Sequence, residues 1–188
     1  CLPIVKYVSA QNKRKKRKIK INKRLWLNNY LEATKLKDVN LIIELIGGAE
    51  GPAKKLVFEA LKNKKHVVTA NKALIAKYGD VLSKIAEKNS VNLEFEAAVA
   101  GGIPIIKTIK EGLATNKISK VYGILNGTTN YILSEMENTN ETFDNVLQKA
   151  QKLGYAEPGN PKLDLNGFDA FAKIRILSAL AFNINISK

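Results

Sequence analysis

The chain has 188 residues, of which 45% are hydrophobic and only five are proline, so it can bury one good core or most of two small ones. A single cysteine and a single histidine exclude a disulfide framework and argue against a zinc site. No apolar run approaches the roughly 20 residues that cross a bilayer, and the first residues lack a signal-peptide pattern. We therefore expect a cytoplasmic protein without a membrane partner, and the start on Cys1 suggests a piece of a longer chain.

The net charge of +14 is concentrated in one segment. Residues 13–24, KRKKRKIKINKR, hold nine of the 31 basic residues and no acid. Such a block is typical of a solvated or disordered loop, and phosphate binding is the next interpretation. An RNA platform is poorly supported, because there is little aromatic interleaving, no Arg/Gly repeat and no zinc knuckle. A basic nucleic-acid-binding module is therefore an alternative, and it predicts steeply salt-dependent binding.

The first half of the chain alternates apolar strands with amphipathic helices. We predict strands at residues 2–10, within 38–48, at 66–69 and at 91–95, with helices at 51–63 and from 72 to 88. This order is typical of a parallel sheet with right-handed crossovers, whose ligands bind at the carboxyl ends of the strands. Gly47, Gly48 and the turn at residues 69–72 follow two of these strands.

A dinucleotide-binding fold normally begins with a strand and a G-x-G-x-x-G turn, and the sequence contains no such motif. If the fold is of this kind, its first strand lies upstream and residues 2–10 form the second. An acid after that strand binds the ribose of NAD, whereas basic residues suit the 2′-phosphate of NADP. The basic residues at 13–18 weakly favour NADP(H).

Small residues dominate the segment after the fourth strand, EAAVAGGIP at residues 96–104. Its glycines permit close backbone approach, and Pro104 suits the first turn of a helix that runs to Leu113. Glu96 is either a hinge carboxylate or, together with backbone carbonyls, a ligand for a hard cation. The sequence prefers the hinge, because one acid is thin support for a metal site.

A further strand is predicted at residues 118–125, where apolar and polar residues alternate. The turn NGTTN follows at residues 126–130 and leads into a helix. Thr128 or Thr129 is most simply the N-cap of that helix. A backbone N–H at such a helix start also suits a substrate carboxylate. Another helix is predicted at residues 142–153.

The stretch AQKLGYAEPGNPKLDLNGFDAFAK at residues 150–173 brings three acids and a lysine together. Glu157 and Asp164 lie in a turn-rich loop, whereas Asp169 and Lys173 are four residues apart on one face of the following helix. One interpretation is a solvated surface ion pair, with Asp164 as the helix N-cap. The other is a pocket whose acids bind an ammonium while Lys173 donates a proton to a developing oxyanion.

Five segments in the correct order resemble homoserine dehydrogenase, and together they extend over essentially the whole chain. Several ordered motifs are far more specific than a lone glycine motif. The segments are ELIGG (44–48), VVTANKALIA (67–76), EAAVAGGIPIIKTI (96–109), GILNGTTNYIL (123–133) and the stretch at 150–173.

The resemblance implies an α/β protein with a partial Rossmann-type nucleotide-binding domain at residues 1–103 and a partial α+β substrate and dimerisation domain at 104–188. It implies NAD(P)H-dependent interconversion of L-aspartate 4-semialdehyde and L-homoserine, in threonine and methionine biosynthesis. NADP or NAD would be the cofactor, and the full-length enzyme a homodimer or homotetramer without a nucleic-acid partner. Because the family's glycine-rich turn and C-terminal part are missing, we expect residues 1–188 alone to be inactive. Another two-domain NAD(P) dehydrogenase is a further alternative.

The resemblance also assigns roles to single residues. Lys173 is similar to the proton donor, Lys72 to the lysine between nicotinamide and substrate, and Asp169 belongs to the same catalytic centre. The loop that carries Glu157 looks one residue longer than the family's usual form. The remaining roles are substrate binding for Glu157, Asp164, Asp169, Gly127 and Thr128, cofactor contact for Ile46, Gly47 and Lys72, and a monovalent cation site, expected to hold sodium, for Glu96 with the carbonyls of Val99, Gly101 and Ile103.

Overall fold

The computed structural model describes residues 3–156 and 162–184, with side chains omitted at 162 and 163. It divides into two compact units, Cys1–Ala98 and Val99–Lys188. Each unit has its own core, and each is described by itself.

The first unit is built on a parallel sheet of three strands, in the order β1 (Leu41–Glu44), β2 (His66–Thr69) and β3 (Leu93–Glu94). Val68 of β2 lies opposite Ile43 on one side and Glu94 on the other, which fixes the register. Helix α1 (Pro52–Lys62) connects β1 to β2, and helix α2 (Lys72–Lys88) connects β2 to β3, so the predicted parallel sheet is confirmed.

The sheet buries one face and exposes the other. Side chains alternate along each strand, and Ile42 and Val67 face the helices and are buried. Two crossovers of the same hand place both helices on that face, where Val57 and Leu82 are fully buried. On the opposite face Ile43 is 57% exposed, and Leu41 and Val68 are also exposed. Parallel sheets are normally covered on both faces, and the described residues supply no layer for this one.

The predicted strand at residues 2–10 is wrong for its described part. Val8 makes a single parallel bridge to Trp26, and no ladder continues from it. Ile4 is 80% exposed, so its apolar side chain has found no layer to pack against. Strand propensity is realised on a paired and half-buried surface, and among the described residues of this segment only Val8 has a strand partner.

The basic segment forms a loop folded on itself. The Arg17 guanidinium donates to the carbonyl oxygens of Asn12, Lys13 and Lys15 at 2.8 to 3.1 Å. The same guanidinium lies 5.1 Å from the ring centre of Trp26. These contacts order the loop and use the charge of Arg17 within it.

The described part of the second unit, residues 99–156 and 162–184, consists of helices and irregular segments. Its core is formed where α4 packs on α5, and it contains Ile132, Val146, Ala150 and Ala156. The helices are α3 (Ile105–Lys107), continued by a π turn at Thr108–Gly112, then α4 (Gly127–Thr139), α5 (Phe143–Leu153), α6 (Lys162–Leu165) and α7 (Phe168–Phe182).

Two predicted elements of this unit differ from the structure. Residues 118–125 form no strand, because no neighbouring strand pairs with them among the described residues. Their alternating apolar side chains are instead exposed, as at Tyr122 (81%) and Ile124 (76%). The helix predicted to run to Leu113 is one α-helical turn that widens into a π turn at Thr108.

Candidate active site

An ion pair on α7 lies at the centre of the site in the second unit. Nζ of Lys173 is 2.7 Å from Oδ2 of Asp169, one helical turn earlier. The carboxyl side chain is only 5% exposed and the lysine side chain 21% exposed. The alternative of a solvated surface pair is therefore wrong. A charge pair removed from water must be supported by further hydrogen bonds.

Asn126 supplies that support. Its Nδ2 donates to Oδ1 of Asp164 and to Oδ2 of Asp169, both at 2.9 Å. Its Oδ1 accepts the backbone N–H of Thr129 at 2.9 Å, which makes Asn126 the N-cap of α4. One buried amide thus joins two acids from α6 and α7 to the start of α4.

The capping predictions need correction. Asn126, and neither Thr128 nor Thr129, is the N-cap of α4. Gly167 precedes α7 as its N-cap residue, whereas Asp164 lies in α6. The reason is geometric, because an N-cap residue precedes the helix and its side chain reaches forward to the free N–H groups of the first turn, whereas Thr128 and Thr129 already lie within that turn.

Lys173 has a second acceptor within the site. Its Nζ donates to the carbonyl oxygen of Leu125 at 2.7 Å. An ammonium group has three N–H donors, so Leu125 and Asp169 account for two of them and leave the third for another oxygen. The amine is therefore held in place by two oxygens and directed towards the start of α4.

Thr128 anchors the chain that leads into the acid loop. Its buried Oγ1 donates to the carbonyl oxygen of Tyr155 at 2.5 Å, and the rings of Tyr131 and Tyr155 stack with centres 4.7 Å apart. Gly127 is the first residue of α4. Glu157 lies outside the described residues, so its predicted position opposite Lys173 stays a prediction.

The predicted cofactor residues of the first unit lie at the carboxyl ends of neighbouring strands. Ile46 and Gly47 follow β1, and Lys72 begins α2 directly after β2. Gly47 and Gly48 have φ angles of +85° and +81°, which only glycine adopts without strain. A Cβ on Gly47 would meet no atom within 4 Å, so the space above this loop is open. The carboxyl ends of the strands are where ligands bind in open α/β sheets.

The remaining predicted site residues are divided between the two units. Lys72 belongs to the first unit and Lys173 to the second, and the candidate cation ligands fall on both sides of the division. Glu96 begins a 3₁₀ turn, Glu96–Ala98. Among the described residues, no three His, Cys, Asp or Glu side chains form a metal-binding group, which leaves a site built from carbonyl oxygens untested.

A parallel sheet with a glycine-containing loop at its carboxyl end, followed by a second unit with a buried acid–lysine centre, is the arrangement of a two-domain protein of the nucleotide-binding α/β class. The family model for the homoserine dehydrogenase NAD-binding domain matches residues 4–96, and the homoserine dehydrogenase model matches residues 104–188. The chain belongs to the homoserine dehydrogenase family.

Curated relatives agree. The chain is similar to the homoserine dehydrogenase of Neisseria gonorrhoeae, with 56% identity over 78% of this chain and 33% of that protein. It is also similar to the Bacillus subtilis protein of the same name, with 42% identity over 99% of this chain and 42% of that protein. The chain therefore spans 33% to 42% of the length of these relatives.

Solved structures give the same result. The structure of a homoserine dehydrogenase from Thiobacillus denitrificans has 50% identity and a TM-score of 0.80 over 86% of this chain and 37% of that chain. The S. aureus enzyme at pH 6.0 has 42% identity and a TM-score of 0.82 over 98% of this chain and 45% of that chain. A hyperthermophilic archaeal homoserine dehydrogenase in complex with NADPH has 30% identity and a TM-score of 0.75 over 82% of this chain and 47% of that chain.

In the part of the chain that the structure describes, no helix combines the length and apolar character needed to cross a bilayer.

Sequence reasoning missed Asn126 as a member of the site. The available signal was its position at the first residue of NGTTN, directly before a helix and in a chain with unexplained acids downstream.

Proposed function

We propose that the full-length protein is a homoserine dehydrogenase that reduces L-aspartate 4-semialdehyde reversibly to L-homoserine with NAD(P)H, in threonine and methionine biosynthesis. The observation that carries this proposal is the buried centre of Lys173, Asp169, Asn126 and Asp164. A lysine held among acids is the group that proton transfer to an aldehyde oxygen needs. The family membership supplies the reaction, because the chain spans only part of the relatives that bear the name.

The residues at the sheet end fit a dinucleotide. No atom lies within 4 Å of the position of a Cβ on Gly47, so a ligand can approach the backbone there, and Lys72 begins α2 shortly after the carboxyl end of the neighbouring strand β2. When bound, the nicotinamide supplies the hydride. The chain's own contribution is position and charge, from Ile46, Gly47 and Lys72.

Lys173 acts at the carbonyl oxygen of the substrate. As that oxygen gains negative charge, a preorganised ammonium stabilises it and then donates a proton. Asp169 and the carbonyl of Leu125 orient the amine at 2.7 Å each, so it need not reorganise during the reaction. Lys173 is the proton donor, and Asp169 positions it.

The substrate also carries an ammonium and a carboxylate. Asp164, which is only half-buried, and Glu157 are the acids proposed to bind the ammonium. Gly127 and Thr128 begin α4, and the N–H groups at this helix start suit the carboxylate. This arrangement gives each charged group of the amino acid a partner of opposite polarity.

Several finer features belong to the same proposal. NADP is the favoured cofactor, because basic residues at 13–18 suit a 2′-phosphate, and sodium is the cation held by Glu96 with the carbonyls of Val99, Gly101 and Ile103. We place the boundary between the nucleotide-binding and substrate domains of the enzyme between residues 103 and 104, shortly after the division between the two compact units. The full-length protein is a cytoplasmic homodimer or homotetramer with a small amino-acid substrate and no nucleic-acid partner, and residues 1–188 alone are inactive.

Lys173→Arg in the full-length protein tests the proton donor. Arginine keeps the positive charge beside Asp169 but gives up a proton far less readily. We expect kcat for semialdehyde-dependent NADPH oxidation to fall about 10²- to 10⁴-fold, with little change in Tm. Lys152→Ala, an exposed lysine near the end of α5, is the matched control and should leave kcat unchanged. Activity of Lys173→Arg near the wild-type level would refute the assignment.

A further inference from the structure

Glu44 is a fully buried carboxylate at the carboxyl end of β1, with 0% of its surface exposed, and the proposed reaction does not use it. A buried carboxylate needs several hydrogen-bond donors. Its Oε1 accepts the backbone N–H groups of Ile46 at 2.6 Å and Gly47 at 2.9 Å. Glu44 therefore fixes the backbone of Ile46 and Gly47, where the loop after β1 begins.

Thr69 joins this carboxylate to the next strand. Its Oγ1 donates to Oε2 of Glu44 at 2.5 Å and accepts the backbone N–H of Asn71 at 3.0 Å. Since the N–H of Asn71 occupies a lone pair of the hydroxyl, the hydroxyl proton is directed to the carboxylate. Thr69 is 1% exposed, so water does not replace either bond.

Asn71 closes a second link between the same two loops. Its Nδ2 donates to the carbonyl oxygen of Gly48 at 2.8 Å. Its Oδ1 accepts the backbone N–H of Leu74 at 3.1 Å and so caps α2, the helix that begins with Lys72. The loop after β1 is thus tied to the start of α2 at two points.

This double link has a consequence for binding. A loop with two consecutive glycines at positive φ has many accessible conformations when it is free, and fixing it costs entropy. If the protein has already fixed the loop, a ligand does not bear that entropy loss on binding. The same bonds set the position of Lys72 relative to Gly47.

We propose that Glu44, Thr69 and Asn71 are positioning residues that hold the loop at residues 46–48 and the start of α2 in one arrangement for the dinucleotide. This inference rests on the proposed function, since it assumes that both loops contact the cofactor. The network acts on cofactor affinity and on Lys72, and it leaves the amino-acid subsite of the second unit alone.

The test compares Thr69→Val with Thr69→Ser in the full-length protein. Valine removes the hydroxyl and leaves the Glu44 oxygen and the Asn71 N–H without a partner, whereas serine keeps both bonds. We expect the Kd for NADPH, measured by fluorescence titration, to rise about tenfold in Thr69→Val and to stay within about twofold in Thr69→Ser. The KM for the semialdehyde should change less than the KM for NADPH.

Asn71→Ser is the second variant, in case Thr69→Val does not fold. Serine still caps α2 but cannot reach the carbonyl oxygen of Gly48, so only this link is lost. The contacts of Glu44 and Thr69 persist, because none of them uses the side chain of Asn71. We expect the same rise in the Kd for NADPH, with Tm close to that of the wild type.

A lower Tm with an unchanged Kd would overturn the inference, because the network would then serve stability alone. Failure of the wild type to bind any dinucleotide would overturn it too. If the wild type binds NADPH and Thr69→Val weakens binding, but neither homoserine nor the semialdehyde reacts, the proposed function fails and the positioning role stands.

Discussion

Asn126 offers the sharpest test of the site, because one amide performs two tasks. Asn126→Ala removes the N-cap of α4, which is worth about 1 kcal/mol. It also removes the donor to Asp169, and a hydrogen bond to a charged and buried group is worth about 2 kcal/mol. Asp164 is half-buried, so water can replace its lost donor at little cost. We expect the free energy of opening of this region to fall by about 3 kcal/mol.

Hydrogen exchange followed by mass spectrometry measures this loss locally. A change of about 3 kcal/mol corresponds to roughly a hundredfold loss of protection in peptides from α4 and α7. Peptides from α1 and α2 belong to the other unit and serve as an internal reference. Asn126→Ser keeps the cap and loses only the amide donors, so it should lose about 2 kcal/mol.

Asn145→Ala is the matched control, because Asn145 is exposed on α5 and such substitutions stay within about 0.5 kcal/mol. If peptides from α4 and α7 are protected from hydrogen exchange equally in Asn126→Ala and Asn145→Ala, the amide does not hold the acids together. Equal protection in Asn126→Ser and the wild type would show that only capping matters.

Two further predictions concern the first unit. Hydrogen bonds from Lys77, from Tyr78 and from Lys54 lower the pKa of Glu50 from 4.5 to about 2. The resulting stabilisation is present above pH 4.5 and is lost as the pH falls towards 2. Glu50→Gln should therefore reduce the pH dependence of the free energy of unfolding between pH 4.5 and pH 2, and high salt should make this difference smaller. A pH dependence equal to that of the wild type would contradict the prediction. The exposed sheet face predicts that Ile43→Lys lowers the binding of a hydrophobic dye by residues 1–188. Val81→Lys, at an exposed position on α2, should lower it less, and equal losses in the two variants would contradict a dye site on the sheet face.

The sheet and helices of the first unit could be predicted because their signals are local. An apolar run between turn residues gives β1 and β2, and the pattern that buries Val57 and Leu61 gives α1. The failures at residues 2–10 and 118–125 have one cause. A strand exists only with a partner, and the presence of a partner is a tertiary fact that side-chain alternation cannot show.

For the site, the sequence supplied the types of group but not their linkage. The spacing of Asp169 and Lys173 places them on one helix face, yet burial decides whether the pair is solvated or functional, and spacing contains no information on burial. The bonds from Asn126 to Asp164 and Asp169 join positions 38 and 43 residues apart, which no local pattern indicates.

Asn71 and Asn126 solve the same problem in the two units. In each, Oδ1 caps the helix that begins at the next residue, and Nδ2 holds a separate segment, the carbonyl of Gly48 in one case and two carboxylates in the other. Aspartate and serine cap helices about as well as asparagine, but aspartate has no donor to offer and a serine hydroxyl is too short to span both contacts. The requirement for asparagine therefore comes from the second contact. In each unit the site is therefore attached to the N-terminus of a helix by an asparagine, although other residues would cap that helix equally well.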